Sequence, residues 1–177
     1  NVVISVAGNI TDELLAKIES LFGQFEASEQ AVEAVLTYPT FTAGELVNVR
    51  DTEQAHVAIS FPAINVKHPD MFSFVALSNI IGGNMSSRLF QEVREERGLA
   101  YTVFSYQSSY EDVGVFTIYA STSVQNLDKL LVQINQTLLD VIVGGVTEDE
   151  LFNAKEQLKG SFVLGLEGTE AHMNRNG

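Results

Sequence analysis

Arg94, Arg97 and Tyr101, three side chains able to hold a substrate, fall within one eight-residue stretch. A guanidinium is a planar fork suited to a carboxylate or to peptide carbonyls. A phenol hydroxyl donates to a carbonyl oxygen, including one that is gaining negative charge. The surrounding segment, SSRLFQEVREERGLAYTVFSY from Ser86 to Tyr106, reads as a charged helix stopped by Gly98 and followed by an aromatic strand. Arg94 then lies in the last turn of the helix and Tyr101 just past the turn, so both can point at one cleft. A plainer account stands beside this one. Both arginines would lie on the solvated face of the helix, paired with Glu92, Glu95 or Glu96, and Tyr101 would merely open a strand. The residues alone leave both accounts open.

Other candidates carry less. The histidines are His56, His68 and His172, and none has a second histidine three or four residues away. H-x-x-E-H and its reversed form are absent, as is any cysteine, so a metal site made from these residues is not expected. Gly82-Gly83-Asn84 lacks the spacing of a dinucleotide or P-loop motif and reads as a sharp turn. Ser86 and Ser87 have no G-x-S-x-G around them and read as helix-capping residues.

The chain has 23 acidic and 10 basic residues, a net charge of −13. That field repels phosphate backbones and argues against a nucleic-acid partner, while neutral or basic peptides remain acceptable. No apolar run approaches the ~20 residues of a membrane span. The absence of cysteine fits a reducing compartment, with a cytoplasm favoured. The opening NVVISVAGN is neither an initiator methionine nor a signal peptide, and it reads as the interior of a longer protein.

The elements that would position these residues can be read in order. Val2 to Ala7 is a β-branched run leading into Gly8-Asn9, expected as a strand. A helix follows, with Thr11 as its cap, Asp12 and Glu13 in its first turn and Gly23 as its end. Residues 26–50 lose periodicity and read as a linker. QAHVAISFP alternates, with Ala55, Val57, Ile59 and Phe61 on one face and Pro62 expected to end the strand. A helix from about Pro69 should stop at Gly82-Gly83, and another should run from about Ser86 to Arg97. Tyr101–Ser109 and Val113–Ser121 read as an antiparallel pair. A helix carrying Leu127, Leu130, Ile134 and Leu138 comes next. The last begins at VTEDEL, with Thr147 and Glu150 as a capping box. The expected class is α+β: a mostly antiparallel sheet with helices packed on one face.

GGNMSSRLFQEVREERGLAYTVFSYQSSY, the QAHVAISFP strand before it and VTEDELFNAKEQLKGSFVLGLEGTEAHMNR after it resemble the pitrilysin/insulinase family of zinc peptidases. The likeness is to its small bacterial members, similar to mitochondrial processing peptidase, and covers nearly the whole chain. The resemblance implies two related α/β domains per half-chamber. The first holds zinc through H-x-x-E-H and a distant Glu; a later one has lost those ligands and contributes an Arg and a Tyr. The matching positions here are Arg94 and Tyr101. By the same likeness Tyr101 would bond the substrate carbonyl or its tetrahedral intermediate, and Arg94 would hold the peptide backbone or orient Tyr101. Arg97 carries no such role.

Residues 1–25 then resemble the end of the preceding zinc domain, 26–50 a linker, and 51–177 a non-catalytic domain that stops early. The implied cofactor is zinc in another domain of the parent, with none in this segment, which alone would be inactive. The implied partners are a peptide substrate and the zinc-bearing half, in the same chain or in a partner subunit, with a homodimer also admitted. The alternative is an inactive scaffold or partner subunit of a processing-peptidase-like complex.

Overall fold

In a computed structural model of the chain, residues 2–26 and 39–177 are described. They fall into two compact units, Asn1–Leu36 with Gln157–Gly177, and Thr37–Glu156.

In the first unit, α1 (Asp12–Phe22) begins at Thr11, whose hydroxyl accepts from the Leu14 amide at 3.3 Å, and ends at Gly23. That matches the local reading. Val2–Ala7, expected as a strand, forms none. A β-branched run satisfies its backbone as a strand only beside another strand, and no partner is present among the described residues. The same unit ends in a short helix, Thr169–Asn176, whose Met173 carbonyl accepts from the Ser5 hydroxyl at 2.5 Å.

The second unit is built on a three-stranded antiparallel sheet: β1 (Ala55–Ala63), β2 (Thr102–Ser109) and β3 (Gly114–Thr122), in the order β1-β3-β2. Pro62 does not end β1; it pairs with Val115 and the strand continues to Ala63. The sheet order explains this, since β1 is an edge strand and an edge accepts the missing N–H of proline. The expected linker falls partly on 27–38, outside the described residues, and residues 39–52 carry neither helix nor strand.

Alternation along the strands sends Ile59, Val103, Phe116, Ile118 and Ala120 to one face. There they meet Leu89 and Val93, together with Leu130 and Ile134 of α3 (Leu127–Gly144). Ile118, Leu89, Val93 and Leu130 have no exposed surface. The helices thus cover one face of the sheet, the α+β arrangement expected.

Two helices depart from the regular α form. The one beginning with α2 (Met71–Ser78) widens into a π segment at Asn79–Gly83, and a second π segment spans Phe90–Glu95. The Glu96 amide accordingly reaches back five residues to the Gln91 carbonyl at 2.9 Å. Gly82 lies against β2, where a Cβ would come within 2.6 Å of the Ser105 amide nitrogen. No single described helix is long and apolar enough to cross a membrane.

Candidate functional site

The corner holding Arg94 and Tyr101 is made by a helix end, one glycine and a strand start. The helical run begins at Arg88 rather than at Ser86. Asn84, not a serine, organises its start: its side-chain oxygen accepts from the Ser86 amide at 2.6 Å, and its carbonyl accepts from the Ser87 hydroxyl at 2.5 Å. At the other end Gly98 sits at φ +59°, the left-handed region. Its amide donates to the Arg94 carbonyl at 3.1 Å, and that of Leu99 to the Val93 carbonyl at 2.9 Å. The chain then swings into the sheet, where the Tyr101 amide donates to the Ser121 carbonyl at 3.0 Å and the Thr122 hydroxyl to the Leu99 carbonyl at 2.6 Å.

This turn brings Arg94 and Tyr101 together. The Arg94 guanidinium carbon is 5.9 Å from the centre of the Tyr101 ring and 4.7 Å from that of Phe90. Both rings can hold the cation by their negative faces. Tyr101 is 72% exposed, and its hydroxyl has no hydrogen-bond partner among the described residues. Among the described residues Arg94 has one ion pair, to Glu95, at a long 3.7 Å and open to solvent.

Arg97 does not join them. One of its terminal nitrogens donates to the Glu92 carbonyl at 2.9 Å and to the Glu96 carboxylate at 3.2 Å. The Glu92 carboxylate turns to α3 instead, accepting from the Thr137 hydroxyl at 2.6 Å and the Gln133 amide at 3.1 Å. The ion pairs of the plainer account are therefore partly present, and they leave Arg94 and Tyr101 the most available groups of the three.

Two residues at this helix were not legible as participants. Phe90 is one turn before Arg94, a spacing that permits contact, but aromatic residues at such spacing usually face a core. Arg88 is the other. Its guanidinium grips Glu150 at the start of α4 (Glu148–Gly165), through 2.6 and 2.8 Å bonds, and also donates to the Gly145 carbonyl at 2.8 Å. Glu150 completes the expected capping box, accepting from the Thr147 amide at 2.7 Å while its own amide donates to the Thr147 hydroxyl at 3.2 Å. These donors, Arg88 first, lower the Glu150 carboxyl from 4.5 to about 2. The hydrogen bond to Glu150 in turn raises Arg88.

For a metal the described residues do not fit: no three of His, Cys, Asp or Glu converge among them. His56 shares a 2.7 Å hydrogen bond with the Tyr119 hydroxyl, and His68 Nδ1 accepts from the Asp70 amide at 3.2 Å.

A three-stranded antiparallel sheet covered by helices, with an exposed Arg–Tyr corner at one strand start, defines an α+β domain. The family model of the peptidase M16 inactive domain matches residues 1–158. The chain belongs to that family, as the resemblance to pitrilysin/insulinase zinc peptidases implied. It is 47% identical over 176 residues to the uncharacterized zinc protease YmxG of Bacillus subtilis, covering 99% of this chain and 42% of that one. Among solved structures it is similar to a peptidase M16 inactive domain from Pseudomonas fluorescens, with 30% identity and a TM-score of 0.60 over 62% of this chain and 27% of that one. A protease from Helicobacter pylori shares the fold, with a TM-score of 0.70 at 23% identity over 93% of this chain and 41% of that one. The chain thus spans about two fifths of the length of the zinc proteases it matches.

Proposed function

We propose that this chain forms the far wall of the peptide-binding chamber of a zinc endopeptidase, with Arg94 and Tyr101 as its substrate contacts. Arg94 offers its guanidinium fork to backbone carbonyls or a carboxylate of the bound peptide. Tyr101 donates its hydroxyl proton to a substrate carbonyl oxygen, a bond that strengthens as that oxygen gains charge. Zinc, which activates water for attack on peptide bonds, is assigned to another part of the parent protein, because the residues described here do not form a site for it.

The observation that carries this reading is the Arg94 guanidinium held 5.9 Å from the ring of an exposed tyrosine whose hydroxyl is free to donate. Such a pair has no evident part in holding the fold, and it occurs in a chain of the M16 inactive-domain family. Peptide affinity is the test. Arg94→Ala should weaken binding of a substrate peptide to the parent protein, whereas an unchanged affinity would leave the chain as an inactive scaffold or partner subunit.

A further inference from the structure

We propose that Phe90 is the positioning residue of Arg94: the face of its ring holds the guanidinium beside Tyr101 before any peptide arrives, without occupying the donors that the peptide needs. This rests on the substrate-contact reading above and adds to it a residue that the reading does not use.

Residues 88–97 carry three arginines, and each is held differently. Arg88 gives two bonds to the Glu150 carboxylate and one to the Gly145 carbonyl. Arg97 gives one nitrogen to the Glu92 carbonyl and the Glu96 carboxylate. Arg94 is held by rings instead. Its guanidinium carbon lies over the Phe90 ring, 4.7 Å from the centre, and 5.9 Å from the centre of the Tyr101 ring. None of its guanidinium nitrogens makes a hydrogen bond among the described residues, and the Glu95 oxygen at 3.7 Å stands beyond hydrogen-bond reach.

The distinction is chemical. A carboxylate that fixes an arginine occupies two prongs of its fork, whereas a ring attracts the cation through its negative face and takes no N–H. All five donors then stay available to peptide carbonyls or a carboxylate. A ring-held side chain has also given up part of its rotamer freedom already, so less is lost when the peptide binds.

Of the two rings, Phe90 is the nearer and the better fixed. Tyr101 is largely exposed, whereas Phe90 is half-buried. The neighbours of Phe90 anchor its backbone on both sides. Leu89 and Val93 are buried in the core, the Gln91 side chain donates to the Met85 carbonyl at 2.6 Å, and the Glu92 carboxylate accepts from the Thr137 hydroxyl at 2.6 Å. Among the described residues Phe90 is not one of the side chains packed on that core; its ring meets Arg94 instead. Both residues lie in the π segment Phe90–Glu95, a form that recurs at functional sites.

The test is made on the full-length parent with a chelator present, so that a bound peptide is not cleaved. The probe is a capped nonapeptide of alternating alanine and serine with one central lysine. Position 90 carries phenylalanine with no, one, two or three ring fluorines, which draw charge from the ring face and barely alter its size. Affinity should fall at each step. Phe90→Leu should bind about two- to fivefold more weakly, and Phe90→Tyr, which keeps the face, should bind normally. In an Arg94→Ala background none of these changes should have a further effect. Peptide-free protein gives a second readout: rotation about the Arg94 Nε–Cζ bond, followed by nitrogen-15 exchange spectroscopy, should quicken along the same fluorine series. A Phe90 that only packs would leave both series flat, and that result would overturn the proposal. So would equal losses with and without Arg94, which would make Phe90 a direct peptide contact. If rotation follows the fluorines while Arg94→Ala leaves affinity unchanged, or while the probe does not bind at all, Phe90 still positions Arg94 and the substrate-contact reading falls. If Arg94→Ala weakens binding while both fluorine series stay flat, that reading stands and the positioning role falls.

Discussion

Arg88 and Glu150, far apart in sequence, meet as a two-pronged ion pair with bonds of 2.6 and 2.8 Å. The same carboxylate accepts from the amide and hydroxyl of Thr147, so it serves a helix start and a long-range contact at once. Arg88 opens the helical run that ends at Glu95, one residue past Arg94. The pair therefore fixes the beginning of the element whose end carries the candidate site.

Glu150→Gln removes the charge and weakens both roles. A loss of about 1–2 kcal/mol is expected in urea unfolding at pH 7, the range of a broken cap together with a charge-assisted bond. The loss should depend on pH in a defined direction. The folded carboxyl is depressed from 4.5 to about 2, so its stabilisation is complete above about pH 4.5 and is lost as pH falls toward 2. The wild-type and Gln chains should converge over that window; a gap unchanged at pH 2.5 would refute the assignment.

Tyr101→Phe in the full-length parent should lower peptide turnover about 10²-fold, the cost of one donor to a developing oxyanion. Because the side chain is exposed, the melting temperature should not move. Equal turnover by the two proteins would remove Tyr101 from the chemistry.

Arg94→Ala should weaken peptide binding by about tenfold, and Arg94→Lys should recover only part of it, because an ammonium cannot present a fork. Arg97→Ala should leave affinity unchanged, since that guanidinium is occupied with Glu92 and Glu96. Calorimetric titration of the three variants distinguishes them.

Gly98→Ala should cost about 1 kcal/mol from backbone conformation alone. Nothing lies within 4 Å of the added methyl, so no clash contributes. Gly98→Asn should cost less, as asparagine tolerates the left-handed region. Chemical denaturation of the two variants gives the comparison.

Features set by neighbouring residues were legible in the sequence. Thr11 and the Thr147/Glu150 box cap their helices because the bonds close within three residues. The β2–β3 hairpin was legible because alternation and a short polar turn define it locally. The partner of Glu150 was not, because nothing near Glu150 points to Arg88. Neither were the π segments, since an i→i+5 turn leaves no mark in a helical apolar stripe. Val2–Ala7 shows the converse error: its composition favours a strand, but strand formation depends on a neighbour that composition cannot supply. At the site, the Gly98 stop placed Arg94 and Tyr101 near one another in the sequence reading. The separation of Arg97 from them was fixed by Glu92, whose own carboxylate is drawn away to Thr137 of α3.

The central place of β3 has a consequence for the order in which this unit assembles. β2 and β3 are joined by a four-residue turn, Tyr110–Val113, so their pairing closes a short loop. The β1–β3 pairing must close about fifty residues even at its nearest pair, Ala63 and Gly114. Local pairings form sooner than distant ones, so the hairpin is expected to be in place when the rate-limiting barrier is crossed and β1 to be recruited afterwards. Val103→Ala should then slow refolding, and Ile59→Val should chiefly hasten unfolding. Stopped-flow kinetics showing the opposite partition would place β1 in the nucleus.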